Sequence, residues 1–211
     1  TVAPYANLGE VKLRLTARAK NESEARNIIN PVKEKLKKEF SKFIFGENDD
    51  NLSSVLIKEL IKRKESLVFA ESCSGGLLSS SITSIPGSSQ VFKGSIISYS
   101  NNLKQSLLNV PESLIKKFGA VSEEVAETMA INAKEKLNSD WSIAISGIAG
   151  PSGGNKEKPV GLVYISIAGP NGHMTNIKKI FSSTRNRIEI QRLSVNVCLN
   201  SLRLILLSSS K

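Results

Sequence analysis

Two apolar runs near the C-terminus, Val160–Ala168 and Met174–Phe181, are separated only by the turn Gly169-Pro170-Asn171-Gly172 and its flank. A parallel pair needs a crossover of a dozen or more residues, so these strands must lie antiparallel. Upstream the pattern changes. The short apolar runs Ser66–Ala70, Val91–Tyr99 and Trp141–Ser146 are separated by segments of helical periodicity. That alternation marks a layered α/β domain. A chain with both patterns builds a mixed sheet.

The helical segments are legible from their ends. Leu52–Lys62 carries Leu52, Val55, Leu56, Leu60 and Ile61 on one side. Leu77–Ile85 is broken by Pro86-Gly87, and Asn101–Leu108 opens on two asparagines. Ser122–Leu137 starts on a capping serine, with Glu123 and Glu124 against the positive end of the dipole. Arg185–Leu207 reads as a long terminal helix.

The first 48 residues read as a separate, small α+β segment. Val11, Leu13 and Leu15 alternate with Lys12, Arg14 and Thr16 through Gly9–Ala19, which predicts a half-buried strand. Asn21–Phe40 has helical spacing, with Pro31 as a kink or late start, and Phe43–Phe45 is a further strand candidate. The polar cluster Gly46–Asn51 sets the boundary, so the domains run 1–48 and 51–211.

Composition narrows the chemistry. The single histidine, His173, sits in the Pro-Asn-Gly turn, which excludes a histidine zinc site and a Ser-His-Asp triad. Two cysteines, Cys73 and Cys198, make neither a disulfide framework nor a metal cluster. The net charge of +10 admits nucleic acid, an anionic membrane or an anionic substrate as partner. Its lysines and arginines are spread along the chain; only Lys33, Lys35, Lys37, Lys38 and Lys42 are dense, interleaved with Glu34 and Glu39 as on a solvated helix. No apolar run reads as a membrane span and no secretory signal is evident, so a cytoplasmic protein is expected. The sequence begins at Thr1 without a methionine, as a fragment or processed chain would.

Three segments carry candidate chemistry. Glu71-Ser72-Cys73-Ser74-Gly75-Gly76 follows a strand and opens a helix, which exposes a hydroxyl and offers backbone N–H groups to an anion. Taken alone, it is equally an N-cap with turn glycines. Tyr99-Ser100-Asn101-Asn102-Leu103-Lys104 follows the next strand. Without a usable histidine, a buried lysine is the natural base for a serine, although a rim tyrosine and a solvated lysine would read alike. Ser146-Gly147-Ile148-Ala149-Gly150-Pro151-Ser152-Gly153-Gly154 is a glycine-rich loop fit to hold a phosphate or oxyanion, and matches neither a Walker motif nor GxGxxG. The SxxK spacing at Ser113–Lys116 lacks its companion motifs, and Cys73 lacks a histidine partner, so both are read as incidental.

Together AESCSGG, GSIISYSNNLK, FGAVSEEVAETMA, SGIAGPSGG and EKPVGLVYI resemble, in order and spacing, the C-terminal domain of the competence/damage-inducible CinA family, from about Leu52 to Leu207. That domain is similar to nicotinamide-nucleotide amidase. The resemblance implies a three-layer α/β/α sandwich with a mixed sheet, often dimeric, so a homodimer is expected. It implies metal- and cofactor-independent conversion of nicotinamide mononucleotide to nicotinate mononucleotide and ammonia. Carried over, the catalytic residues are Ser72, Tyr99 and Lys104. Substrate contacts are expected from Ser74, Gly75, Gly76, Ser146, Gly147, Gly150, Gly153 and Arg185. The family's GDR triplet reads Ser183-Thr184-Arg185 here, with the arginine kept and the acidic neighbour lost.

The first segment resembles the end of the family's KH-like middle region. Residues 1–50 hold only Gly9 and Gly46, so no GXXG loop exists to clamp a nucleic-acid backbone, and RNA binding is not expected. The rival to an amidase is a non-catalytic module that binds a nucleotide or partner in competence or DNA damage.

Overall fold

The computed structural model describes residues 1–208, and the chain divides into two units at Asn51/Leu52. In the first, β1 (Val2–Asn7) and β2 (Glu10–Leu15) form an antiparallel hairpin in which Asn7 pairs with Glu10. Gly9 takes φ 82° in the two-residue turn, a conformation that glycine adopts without steric cost. α1 (Glu22–Glu39) starts at Asn21, whose side chain accepts the Glu24 N–H at 2.9 Å, and it runs through Pro31 unbroken.

Two expectations fail in this unit, and one strand is added. β1 was not foreseen; its Pro4 sits in a two-stranded hairpin, where edge positions tolerate it. Phe43–Phe45 is a turn and coil rather than a strand, with Phe43 79% exposed. β2 is not half-buried, because Val11 and Leu13 are exposed and α1 buries no residue. Two of the clustered lysines, Lys33 and Lys37, pair with Glu47 at 2.5 and 2.6 Å.

The second unit is an α/β sandwich. Its five-stranded sheet runs β4 (Phe92–Ile97), β3 (Leu67–Glu71), β5 (Trp141–Gly147), β6 (Leu162–Ala168), β7 (Met174–Ile180). β3 is parallel to both β4 and β5, whereas β5–β6 and β6–β7 are antiparallel. The sheet is mixed, as the short Pro-Asn-Gly turn requires. The glycine-rich segment joins β5 to its antiparallel neighbour β6, so it needs no crossover helix.

α2 (Leu52–Arg63), α3 (Leu77–Thr83) and α7 (Arg187–Ser208) pack on one another and on β3, β4 and β6. α4 (Asn101–Leu108), α5 (Glu112–Phe118) and α6 (Glu123–Lys136) form the other helical layer, with α6 lying on β3, β5, β6 and β7. Central β3 is covered on both faces, and Leu67, Val68, Phe69 and Ala70 are fully buried, as parallel strands between helical layers are. Ser122 caps α6 as expected. α5 was not foreseen; its two short turns sit between Pro111 and Gly119, too brief for a periodic signal.

α7 is the one described helix with the length and apolar composition to cross a membrane. Its apolar side is core, however: Ile190, Val195, Cys198, Leu199, Leu202 and Leu206 are buried within this unit.

Candidate active site

The alternation of β3 sets up the site. Ala70 packs with Met129, Ala130 and Ala133 of α6. Glu71 turns the opposite way and reaches the start of α3, where its carboxylate accepts from Gly76, Leu78 and Ser79 backbone N–H groups. Ser72, one residue further, keeps the strand's hydrogen bond to the Ile145 carbonyl at 3.0 Å and sends its side chain back toward α4.

α4 brings the second residue. Ser100 caps it, its hydroxyl accepting from the Leu103 N–H at 3.2 Å. Lys104 and Leu108, one turn apart, are its buried positions. Lys104 is 1% exposed, and its Nζ lies 3.0 Å from Ser72 Oγ, 2.8 Å from the Ser98 carbonyl and 3.4 Å from the Tyr99 carbonyl. Among the described residues no carboxylate contacts it. Burial lowers its pKa to about 8, partly offset by the neighbouring Cys73. In the neutral amine two N–H groups can remain on the two carbonyls, leaving the lone pair for Ser72.

A cleft of about 570 Å³ opens beside this pair. One wall is the Ser74–Leu77 turn with Ser80. The other is Tyr99 and the first turns of α7, with Arg187, Ile188, Gln191 and Arg192. Among the described residues no acidic side chain lines it. Ser72 and Lys104 do not line it themselves; Ser72 is two residues from Ser74, and Lys104 Nζ lies 3.4 Å from the carbonyl of the lining Tyr99. Arg187 donates to the Gly150 carbonyl at 2.8 Å and to the Tyr99 hydroxyl at 2.9 Å. Gln191 donates to the Cys73 carbonyl at 2.8 Å, tying α7 to the serine turn.

The expected residues separate under this geometry. Ser72 and Lys104 meet. Tyr99 contributes its carbonyl to Lys104, while its 59%-exposed ring turns its hydroxyl to Arg187. Ser74, Gly75 and Gly76 line the cleft, yet the Ser74 hydroxyl and Gly76 N–H are committed to Glu71 at 2.7 and 2.9 Å. The start of α3 is therefore not the open anion site that the glycines suggested.

Ser146, Gly147, Gly150 and Gly153 do not line the cleft. Ser146 donates to the Ala120 carbonyl at 2.7 Å and is buried. Gly147 is needed for packing, since a Cβ there would come within 2.8 Å of the Leu162 carbonyl oxygen. The glycine-rich loop meets the site through the Gly150 carbonyl, which orients Arg187. Arg185 is exposed in the turn before α7 and does not line the cleft; Arg187 and Arg192 do. Both were missed because neither belongs to the triplet that singled out Arg185; helical spacing from Arg187 to Gln191 and Arg192 was the available signal.

Cys73 is buried, and burial pushes its thiol up to about 12, so it holds no thiolate at neutral pH. His173 stays with Thr175, 3.0 Å away, and packs edge-on to Trp141. Among the described residues no group of three His, Cys, Asp or Glu side chains could hold a metal.

The model of the CinA C-terminal domain matches residues 49–206, and that of the damage-inducible protein CinA KH domain matches residues 1–46. The chain belongs to the CinA family. A CinA-like protein of Prochlorococcus marinus subsp. pastoris is 96% identical over all of this chain, which covers 49% of that protein. The CinA-like protein of Parasynechococcus marenigrum is 46% identical, again over the whole chain and 50% of its own length. The chain thus spans about half the length of these curated relatives.

Solved CinA-family structures share the fold. The competence/damage inducible protein CihA from Agrobacterium tumefaciens superposes with a TM-score of 0.72 at 33% identity, covering 77% of this chain and 98% of its own. The competence-damaged protein (CinA) superfamily protein from Escherichia coli gives 0.69 at 29% identity, over 78% and 98%.

Proposed function

We propose that this CinA chain is a metal-independent amidohydrolase that deamidates nicotinamide mononucleotide to nicotinate mononucleotide and ammonia. One observation carries the reading: a buried lysine with no carboxylate partner among the described residues, its pKa lowered to about 8, lies 3.0 Å from a serine hydroxyl at a strand end.

The chemistry follows from that pair. Ser72 Oγ attacks the carboxamide carbon as its proton passes to Lys104 Nζ. Collapse of the tetrahedral intermediate breaks the C–N bond; Lys104 returns the proton to the leaving nitrogen, and ammonia departs. Water then cleaves the Ser72 ester by the same proton route and releases the carboxylate product. The nucleotide phosphate is assigned to the other end of the cleft, near Arg187 and Arg192, because no anion competes there. Gly150 and Tyr99 hold Arg187 in place for that contact.

Incubating the protein with nicotinamide mononucleotide and assaying ammonia tests the reading; folded protein that releases none overturns it. Ser72→Ala is expected to abolish ammonia release while nucleotide affinity changes less than about threefold.

A binding module is the second reading. It is favoured by one observation: Ser72 is only 7% exposed and does not line the cleft. It predicts saturable nucleotide binding with no turnover, and equal behaviour of wild type and Ser72→Ala.

A further inference from the structure

Glu71 is fully buried, and among the described residues no lysine or arginine pairs with it. A buried carboxylate costs several kcal/mol unless its oxygens are satisfied. Here they are satisfied wholly by the segment after Ser72. One oxygen, Oε2, accepts from Ser74 Oγ at 2.7 Å, the Gly76 N–H at 2.9 Å and the Leu78 N–H at 3.1 Å. The other accepts from the Ser79 N–H at 2.9 Å and from the Ser79 hydroxyl.

A capping serine or asparagine would satisfy one or two of these donors. The carboxylate spans them all, and so grips both sides of Gly75-Gly76. Those glycines take φ 61° and 101° and have no side chains to pack, so the turn depends on this clamp. The turn is also where catalytic geometry is set. The backbone N–H of Ser74 has no acceptor among the described residues, and that of Cys73 meets only its own thiol. They belong to the two peptide units next to Ser72, where an oxyanion formed on a carbon bonded to Ser72 Oγ develops.

We propose that Glu71 is a positioning residue for the reaction at Ser72: its carboxylate fixes the Ser72–Gly76 turn and thereby aims the nucleophile and the Cys73 and Ser74 N–H groups. The proposal rests on Ser72 being the nucleophile. It does not depend on nicotinamide mononucleotide being the substrate.

Two measurements on Glu71→Gln test it: steady-state ammonia release, and the rate at which a small sulfonyl fluoride labels Ser72, followed by intact mass and peptide mapping. The glutamine keeps the size but turns an NH2 group toward donors. Expected are a 10- to 100-fold fall in kcat, as ångström-scale misplacement of reacting groups gives, KM within twofold, and slower labelling by a similar factor. The pH midpoint of labelling stays near 8, because Lys104 remains buried. Ser79→Ala keeps Glu71 and removes one donor; it is expected to show the same loss in kcat, smaller in size, and it carries the test if Glu71→Gln does not fold.

Wild-type kcat and labelling rates in a folded variant overturn the proposal. So does a loss expressed in KM, or a labelling midpoint moved toward that of a solvated lysine, which marks an opened site rather than a misaligned one. If the wild type releases no ammonia yet labels at Ser72, and Glu71→Gln slows that labelling, the substrate assignment fails and the positioning role stands. If wild-type Ser72 does not label, both fail.

Discussion

Lys104 Nζ lies 3.0 Å from Ser72 Oγ in a pocket that admits almost no solvent to either side chain. Because burial holds the ammonium near pKa 8, the base is mostly protonated at pH 7 and mostly free at pH 9. kcat/KM for ammonia release is therefore expected to rise about tenfold per pH unit below 8 and to level off above it. A pH–rate profile checks this; a flat profile between pH 6.5 and 9 removes Lys104 as the base.

The same burial that supplies the base costs stability. In the unfolded chain Lys104 binds its proton with the ordinary lysine pKa of 10.5, whereas in the fold it releases it near 8. Between those values the unfolded state holds more protons, so stability rises with pH through that window and is fully penalised below it. Lys104→Met removes the penalty. At pH 7 the variant is expected to be inactive and to melt higher by about 2–4 °C. Its advantage should shrink as pH approaches 10. Thermal melts at pH 7 and 9.5 decide the matter; a lower melting temperature at pH 7 refutes the argument.

Much of this was readable in the amino-acid sequence, for identifiable reasons. The mixed sheet followed from the Pro-Asn-Gly turn, because the five-residue link 169–173 leaves no room for a crossover. Ser72 and Lys104 were legible as strand-end and helix residues, but their contact depends on β4 and α4 returning beside β3, a tertiary fact. Glu71 read as one letter of a motif; its grip on α3 needed the parity of β3 and the position of that helix. Arg187 and Arg192 were passed over for Arg185, since two residues along a helix start decide whether a side chain faces the cleft or solvent. β2 misled differently. Its alternation promised a buried face, and periodicity reports amphipathicity whether or not anything covers the apolar side.

Cys73 adjoins the nucleophile and invites a redox or thiol reading, which its environment opposes. Burial raises the thiol to about 12, so thiolate is negligible below pH 9. Iodoacetamide at pH 8 is expected to leave the folded protein's activity unchanged over an hour, with Cys73 unmodified by peptide mapping. Cys73→Ala should retain kcat within about threefold, because the residue contributes packing and a backbone carbonyl to Gln191 rather than chemistry. Rapid alkylation with loss of activity contradicts this.

Arg187 and Arg192 share the α7 face of the cleft but are held differently, and that difference predicts separable kinetics. Arg187 already donates to Gly150 and Tyr99, so Arg187→Ala loosens the glycine-rich loop and the tyrosine as well as removing a charge. Both kcat and KM should suffer. Arg192 donates to no group among the described residues, so its guanidinium is available to a ligand. Arg192→Ala is expected to raise KM for nicotinamide mononucleotide about tenfold, worth about 1.4 kcal/mol, as loss of a charge-assisted hydrogen bond does, with kcat unchanged. The corresponding nucleoside, which lacks the phosphate, should be processed poorly by the wild type and no worse by the variant. Comparing kcat/KM for nucleotide and nucleoside in both proteins isolates the phosphate contact. An equal loss for both substrates would place Arg192 in general cleft structure and move phosphate recognition to Arg187 alone.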